Sequence, residues 1–349
     1  MSDHALVRHG THPVGTLRAD AGQFRFSYDD GWRATGWPIS CALPLNTPDD
    51  TGHAFFSQLI PATCAAVTDL ARHGHDLFGA LTCHTETPAE QILTIDSLTG
   101  HHSVRLTALP ERFIAGGDTP ATHWLTHSHD DQPVRAAYAY ALATRLGLPV
   151  TDTQLLRTGT GWALLRRRPD CDKDGSRCHA ETLRQALGLP PDTPDLPLGA
   201  VADLLRRHAR QPVLDLCALV QWQVFNALIG NHHNGLRHLA LRFTEGGWQL
   251  APFAHLTATP DTAHLPTPVG SNHALHQLCT ADWQALAHAT GVNKKLVRRL
   301  LREQASQLLD QLDGWHLAFN QQHDTAAATQ PVRDLLRRQY RKALRDWLR

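Results

Sequence analysis

The sequence predicts an α+β fold with a small β-rich N-terminal lobe and a mainly helical C-terminal lobe. Near the start of the chain, Phe24, Phe26 and Tyr28 alternate with polar residues, and this period of two places three rings on one face of a strand. Beyond about residue 175, apolar residues recur every three or four positions, as they do along the buried face of a helix. At 349 residues, the chain is long enough to divide into lobes with separate cores.

The first region, residues 1–95, is expected to begin with strands and to continue with a helix. Strands are predicted within residues 1–50, with a turn at Asp29-Asp30-Gly31 and a strand over 38–45 that ends at a proline. From Ala54 to Arg72 the apolar residues return to helical spacing, which predicts a helix.

The second region, residues 96–170, is expected to contain strands and one helix. Its predicted elements are a polar turn at 98–103, a strand at 122–126, a helix at 136–146 that Gly147 ends, and strands at 154–156 and 161–165. The run Arg166-Arg167-Arg168 closes the last strand. We interpret it as a solvated strand end, and the alternative is a contact with an anion or an acidic partner.

The third region, residues 171–349, is expected to be mainly helical. Helices are predicted around 181–187, 201–207, 212–229, 274–290, 294–312 and 331–349, with a β-hairpin over 242–250. The last helix carries a basic stripe beside an apolar one. We expect it to pack on its own protein with the basic face in solvent, and the alternatives are contacts with nucleic acid or an acidic partner.

Composition excludes some classes of function. Lysine plus arginine and aspartate plus glutamate number 33 each, which favours neither strong direct nucleic-acid binding nor binding to a membrane surface. The 24 histidines accompany an enrichment in alanine, arginine and aspartate, so we attribute them mainly to compositional drift. The seven cysteines form no C-x-x-C motif. With no signal peptide, and with Leu214–Ile229 judged too short to span a bilayer, we expect a cytoplasmic protein.

The stretch from Phe225 to His238 is the most informative part of the sequence. It begins as an apolar helix, reaches Gly230, and then becomes an abruptly polar loop that contains Asn231 and three histidines. Polar residues at the end of a core helix indicate a site, because loops on a rigid scaffold are where binding and catalytic groups concentrate.

A series of short motifs surrounds this stretch. They are Val14-Gly15-Thr16-Leu17, Phe55-Phe56 with Leu59-Ile60-Pro61, Leu98-Thr99-Gly100, Thr122-His123, His179-x-Glu181 with Gln185-Ala186-Leu187-Gly188, Phe225-Asn226 with Leu228-Ile229-Gly230-Asn231, and Gly247-Trp248 with Leu250-Ala251-Pro252. In this order, from about residue 14 to residue 310, the chain resembles the HipA family of bacterial toxin kinases. The resemblance implies a two-lobed fold remotely like that of protein kinases, and a relation to serine/threonine kinases of toxin–antitoxin systems.

The positions that carry the family's chemistry are different in this chain. The resemblance implies that the catalytic Asp is replaced by His233, the metal-binding Asn by His238 and the second metal-binding carboxylate by His255. The Lys that orients ATP is replaced by Thr126, and the Glu that pairs with this Lys falls near Arg135.

These replacements predict a pseudokinase. Magnesium requires hard oxygen ligands, whereas imidazole suits zinc, copper, iron or nickel. We therefore expect no catalytic residue and no cofactor, and we expect ATP and Mg²⁺ only if the pseudokinase interpretation is wrong. Gly100, Thr126 and Asn231 then mark a vestigial nucleotide site. The expected function is protein binding, with a small helix-turn-helix protein of the antitoxin type or a related kinase as the partner.

Two other hypotheses remain open. The first is a divergent active serine/threonine kinase whose substitute ligands come from carboxylates elsewhere; the candidates are Asp130, Asp131, Glu245 and Asp261. The second is a metal-binding protein or enzyme that holds zinc on His233, His238 and His255. Against the zinc site we favour histidines that fill a disused cleft, because no carboxylate lies close in sequence to orient the three imidazoles.

Overall fold

The structure is a computed structural model with α+β architecture, which confirms the predicted fold class. It describes residues 4–20, 22–59, 79–84, 95–96, 101–104, 122–128, 130–158, 161–172, 174–244 and 246–348. The chain forms two compact units. Unit 1 comprises residues 1–124, 170–194 and 241–246, and unit 2 comprises residues 125–169, 195–240 and 247–349. The predicted division into three sequential regions stays a prediction.

The described residues form strands mainly in the first half of the chain and long helices mainly in the second half. The strands are β1 (His4–His9), β2 (His12–Asp20), β3 (Gln23–Tyr28), β4 (Leu81–His84), β5 (Ile95–Asp96), β6 (His101–Val104), β7 (His123–Ser128), β8 (Thr153–Thr158), β9 (Gly161–Arg167), β10 (His179–Thr182), β11 (Ala240–Thr244), β12 (Gly247–Leu250), β13 (His264–Val269) and β14 (Asn272–Ala274). The helices are α1 (Asp30–Thr35), α2 (His53–Phe56), α3 (Gln132–Arg145), α4 (Leu183–Ala186), α5 (Leu198–His208), α6 (Pro212–Ile229), α7 (Thr280–Thr290), α8 (Lys294–His323) and α9 (Ala326–Lys342).

Unit 1 is built on an antiparallel sheet with the strand order β3-β2-β1-β4. Phe24, Phe26 and Tyr28 all lie on the buried face of β3, as the period of two predicted. Leu17 on β2 pairs with Phe26 across the sheet and belongs to the same core.

Two predictions in unit 1 are wrong. The predicted turn at Asp29-Asp30-Gly31 is the start of α1, because the Asp29 carboxylate accepts hydrogen bonds from the N–H groups of Gly31 and Trp32 at 2.9 and 3.3 Å. The predicted strand over 38–45 is a series of turns with a single bridge between Ser40 and Leu43. Prolines at both ends of this segment remove backbone donors that a ladder needs. Of the helix predicted over 54–72, the part beyond residue 59 lies outside the described residues.

A third correction concerns Glu181, which was predicted to lie in a helix. It belongs to strand β10, and helix α4 begins only after Thr182. Thr182 and Gln185 form a reciprocal capping box, in which each side chain accepts a hydrogen bond from the other residue's backbone N–H.

Two ionisable residues of β10 face the segment around Ser40 inside unit 1. The His179 ring contacts the Ile39 carbonyl oxygen through Nε2 at 2.7 Å, and Glu181 Oε1 accepts the Cys41 N–H at 2.9 Å. Both side chains are buried. Burial is the main cause that lowers the pKa of His179 to about 4 and raises the pKa of Glu181 to about 7.

These two pKa shifts predict opposite dependences of stability on pH. The pKa of Glu181 is 4.5 in the unfolded chain and about 7 in the folded chain, so between these pH values the folded chain binds more protons. Glu181 therefore contributes stability at low pH that is lost as the pH rises through this range. His179 binds fewer protons when folded, so its contribution is lost as pH falls from 6.5 towards 4. In wild type the two effects largely cancel.

The Glu181→Gln variant separates them. We expect its free energy of unfolding to rise relative to wild type by roughly 3 kcal/mol between pH 4.5 and 7, because glutamine removes the carboxyl titration and keeps the hydrogen-bond acceptor. Urea unfolding at half-unit pH steps measures this difference. A difference between the two proteins that does not change with pH would show that Glu181 titrates alike in the folded and unfolded chains.

Unit 2 has the apolar helix α6 at its centre. Gln304 of α8 donates to the carbonyl oxygen of Gln221, and Gln339 of α9 donates to that of Ala227, both at 3.2 Å. By length and composition α6 could cross a membrane, contrary to the expectation that this stretch is too short. However, 61% of the 18-residue window is buried inside the protein, and core helices of soluble proteins pass the same test.

The C-terminal helices are offset from their predicted bounds. Helix α8 continues to His323, and α7 begins at Thr280 because a short strand and a 3-10 turn precede it. The last helix packs on its own protein as predicted, with Val332, Leu336 and Tyr340 buried along α9. Two of its basic residues, Arg333 and Arg337, form ion pairs with Asp313 of α8.

Candidate functional site

Helix α6 leads into the candidate site and ends at a glycine. Its last residues, Phe225 to Ile229, are fully buried, and Gly230 takes the left-handed conformation with φ of 66°. A Cβ atom at Gly230 would lie 2.3 Å from the carbonyl oxygen of Thr259. Only glycine allows the two backbone segments to approach so closely.

Asn231 holds the loop to two neighbouring segments. Its Nδ2 donates to Asn226 Oδ1 at 2.8 Å and to the carbonyl oxygen of His255 at 3.1 Å. Its Oδ1 accepts the N–H of His233 at 3.0 Å, and the residue is only 1% exposed. Both donors and the acceptor of this amide therefore position the loop, while its part in a vestigial nucleotide site stays a prediction.

Asn234 fixes the same loop to strand β13. Its Oδ1 accepts the N–H of Thr267 at 3.1 Å, its Nδ2 donates to the carbonyl oxygen of Thr267 at 3.2 Å, and the Thr267 hydroxyl donates back to the carbonyl oxygen of Asn234 at 2.6 Å. Both residues are fully buried. The sequence analysis missed this pair, because its members are 33 residues apart and no motif joins them; an asparagine between histidines and a glycine was the available signal.

The structure brings together the three histidines that the resemblance assigns to catalytic and metal-binding positions. The ring of His238 lies with its centroid 5.7 Å from that of His233 and 4.3 Å from that of His255. His232 extends the row, 4.0 Å from His233. His255 has a φ of 60°, a left-handed conformation that is uncommon for residues other than glycine and often marks functional sites.

His233 is a neutral imidazole at pH 7. Burial is the main cause that lowers its pKa to about 4, and repulsion from His232 and from the guanidinium groups of Arg237 and Arg166 lowers it further. The pKa of His232 is also lowered by burial, against the opposing effect of Asp261. Among the described residues, the neighbours that act electrostatically on His233 are thus one imidazole and two guanidinium groups.

The basic run at the end of β9 corrects an interpretation made from the sequence. Arg166 and Arg168 are only 3% and 2% exposed, so they are not a solvated strand end. Arg167, the middle residue, is more exposed and forms an ion pair with the exposed carboxylate of Asp152 at 3.1 Å.

The remaining predicted positions are less central to the described site. Thr126 is buried on β7, and Arg135 of α3 contributes its carbonyl oxygen, which accepts the N–H of Ala258 at 3.4 Å. Gly100 lies outside the described residues.

The carboxylates considered as substitute metal ligands do not gather into a metal site in the described structure. Asp130 is exposed, and its side chain accepts a hydrogen bond from the N–H of Gln132 at 2.9 Å. The negative charge of Asp261 opposes the lowering of the pKa of His232. Glu245 lies outside the described residues. Within the described ranges, no group of three or more histidine, cysteine, aspartate or glutamate side chains is arranged to hold a metal ion.

Comparison with protein families and known proteins gives consistent matches. Residues 109–312 match the family model of the HipA-like C-terminal domain, and residues 5–69 match that of the HipA N-terminal domain. The putative kinase Y4mE of Sinorhizobium fredii is 29% identical over 177 residues, which cover 47% of this chain and 42% of that protein. The match therefore spans less than half the length of this curated relative.

Solved structures confirm the fold. HipA of Shewanella oneidensis, determined in a complex with HipB and its operator DNA, superposes with a TM-score of 0.83 at 17% sequence identity and with 98% of both chains covered. At this identity the likeness supports the fold. Since the C-terminal family model alone covers more than half of the 349 residues, this chain belongs to the HipA-like family.

Proposed function

We propose that this chain is a catalytically inactive member of its family, a pseudokinase that acts by binding another protein. The observation that carries the proposal is the row formed by His233, His238 and His255. By resemblance, these positions belong to the catalytic base and two magnesium ligands. Imidazoles in contact with one another do not supply the hard oxygen ligands and octahedral geometry that Mg²⁺ requires.

The missing charges bear directly on catalysis. Phosphoryl transfer from ATP depends almost entirely on positioning and on neutralising the phosphate charge with Mg²⁺ and a lysine. In this chain Thr126 stands at the lysine position and is buried on β7. A neutral His233 could accept a hydroxyl proton, but general-base catalysis contributes little when no metal-bound phosphate is positioned for attack.

Nucleotide binding and phosphotransfer test this proposal. We expect millimolar Mg·ATP to raise the unfolding temperature of the purified chain no more than the same ATP with EDTA, and we expect no labelled phosphate on the chain or on a general protein substrate. A ligand present at 100 times its Kd adds about 2.7 kcal/mol of stability, so specific binding would be easily measured. A magnesium-dependent stabilisation, or stoichiometric phosphorylation, would support a divergent active kinase instead.

The partner is proposed by analogy with the structural relative. HipA of Shewanella oneidensis was solved with HipB and operator DNA. We therefore propose that this cytoplasmic chain binds a small helix-turn-helix protein of the antitoxin type, or a related kinase, and does not itself bind nucleic acid strongly. Light scattering of this chain mixed with such a protein encoded beside it tests the complex, and two separate masses would exclude that partner.

A further inference from the structure

Unit 1 carries an open cleft at one end of its antiparallel sheet. The cleft has a volume of about 550 Å³, which is within the range of small-molecule sites in proteins. Its lining residues come from β1, β2, β3 and the loop before α2, and they are His4, Arg18, Ala19, Asp20, Arg25 and Asp50. All of these side chains except that of the alanine can form hydrogen bonds, so the cleft suits a polar ligand.

Two arginines stand next to each other in this cleft. Arg18 of β2 and Arg25 of β3 are direct partners across the antiparallel pair. Each follows or precedes a core residue, Leu17 or Phe26, so both guanidinium groups lie on the face of the sheet opposite to the core. Like charges directly opposite one another destabilise a sheet. The arginine pair is therefore a local cost to the fold, and an anionic group bound between the two would offset it.

Two carboxylates border the same cleft. Asp20, at the end of β2, has its Oδ2 3.4 Å from a terminal nitrogen of Arg25. Asp50 lies in a loop that is held against β3, because the N–H of Phe26 donates to the carbonyl oxygen of Thr51 at 2.6 Å. The cleft thus presents two positive and two negative side chains to whatever enters it.

We propose that this cleft binds a free α-amino acid in its zwitterionic form. The carboxylate of the ligand binds between Arg18 and Arg25, because guanidinium groups hold carboxylates through paired, charge-assisted hydrogen bonds. Its ammonium group binds the carboxylate of Asp50. Within the described ranges neither Arg18 nor Asp50 forms an ion pair with another side chain, so both charges are available to a ligand.

The balance of charge distinguishes a zwitterion from a simple ion. Two arginines and two aspartates give the lining no net charge from these four groups. A ligand of one sign is attracted by one pair and repelled by the other, whereas a zwitterion is attracted by both. The cleft lies in unit 1 and the histidine row in unit 2, so amino-acid binding and the pseudokinase proposal stand or fall separately.

Calorimetry with L-serine, L-glutamate, L-lysine and L-leucine tests the site. At constant ionic strength we expect at least one of them to bind the full chain saturably with one site, and we expect no such binding of acetate or methylammonium, which each carry one of the two charges. Arg18→Gln and Asp50→Asn are each expected to weaken the binding about tenfold, which equals about 1.4 kcal/mol. Asp50 has a φ of 64°, and asparagine also adopts this left-handed backbone, so the second variant keeps the fold.

Two matched variants in unit 2 serve as controls. Arg299→Gln removes an exposed arginine of α8, and Asp324→Asn changes another aspartate with a positive φ, of 50°. Both should bind the amino acid like wild type, and circular dichroism checks that all four variants are folded. Absence of saturable binding by all four amino acids, or equal affinity of wild type, Arg18→Gln and Asp50→Asn, would overturn the inference. Acetate that binds as tightly as the amino acid would do so too, because the site would then be a plain anion site.

Discussion

Replacement of Gly230 by alanine is expected to lower the free energy of unfolding by about 3 kcal/mol, from the left-handed backbone and from overpacking. A new Cβ would lie 2.3 Å from the Thr259 carbonyl oxygen and 2.7 Å from the Cα of Pro260, and both are backbone atoms that cannot rotate away. Chemical denaturation of the purified variant measures the change.

Gly147 provides the matched control for this prediction. It also follows a helix and has a φ of 73°, but a Cβ there would meet no atom within 4 Å. Gly147→Ala should therefore cost only the backbone strain, about 1 kcal/mol. If the two variants lose equal stability, the close approach of residues 230 and 259 does not hold in solution.

Asn234→Ala is expected to cost about 3 kcal/mol, because it leaves a buried backbone N–H without its acceptor and creates a small cavity. The N–H of Thr267 donates to the Asn234 side chain, and both residues are inaccessible to solvent. Beyond its effect on stability, the variant should loosen the loop that carries His233, which increased proton exchange of the loop amides would reveal.

The comparison for this variant is Asn293→Ala at the start of α8. Asn293 is exposed, and its side chain accepts one hydrogen bond, from the N–H of Lys295 at 2.8 Å. A cap of this kind contributes about 1 kcal/mol. An Asn234→Ala variant as stable as Asn293→Ala would contradict the role assigned to the buried pair.

Predictions from the sequence succeeded where local pattern and local chemistry agree. The alternation of aromatic and polar residues correctly predicted β3, and the long apolar stretch correctly predicted α6. In both cases the spacing of apolar side chains along the sequence indicates which face of the element is buried. The predictions failed at Asp29-Asp30-Gly31 and at Glu181. The first segment is compatible with either a turn or a helix start. Glu181 lies on β10, a strand that forms by hydrogen bonding to β11, which is distant in sequence.

The sequence by itself determined that this chain belongs to the HipA-like family, and it predicted that histidines replace the family's chemical residues. Gly230 and Asn231 could be identified from their position after an apolar helix. Only the tertiary structure decided that Arg166 is buried near His233 and that Asn234 holds strand β13. The reason is physical, since these contacts join residues tens of positions apart, and their energies depend on burial that no local pattern records.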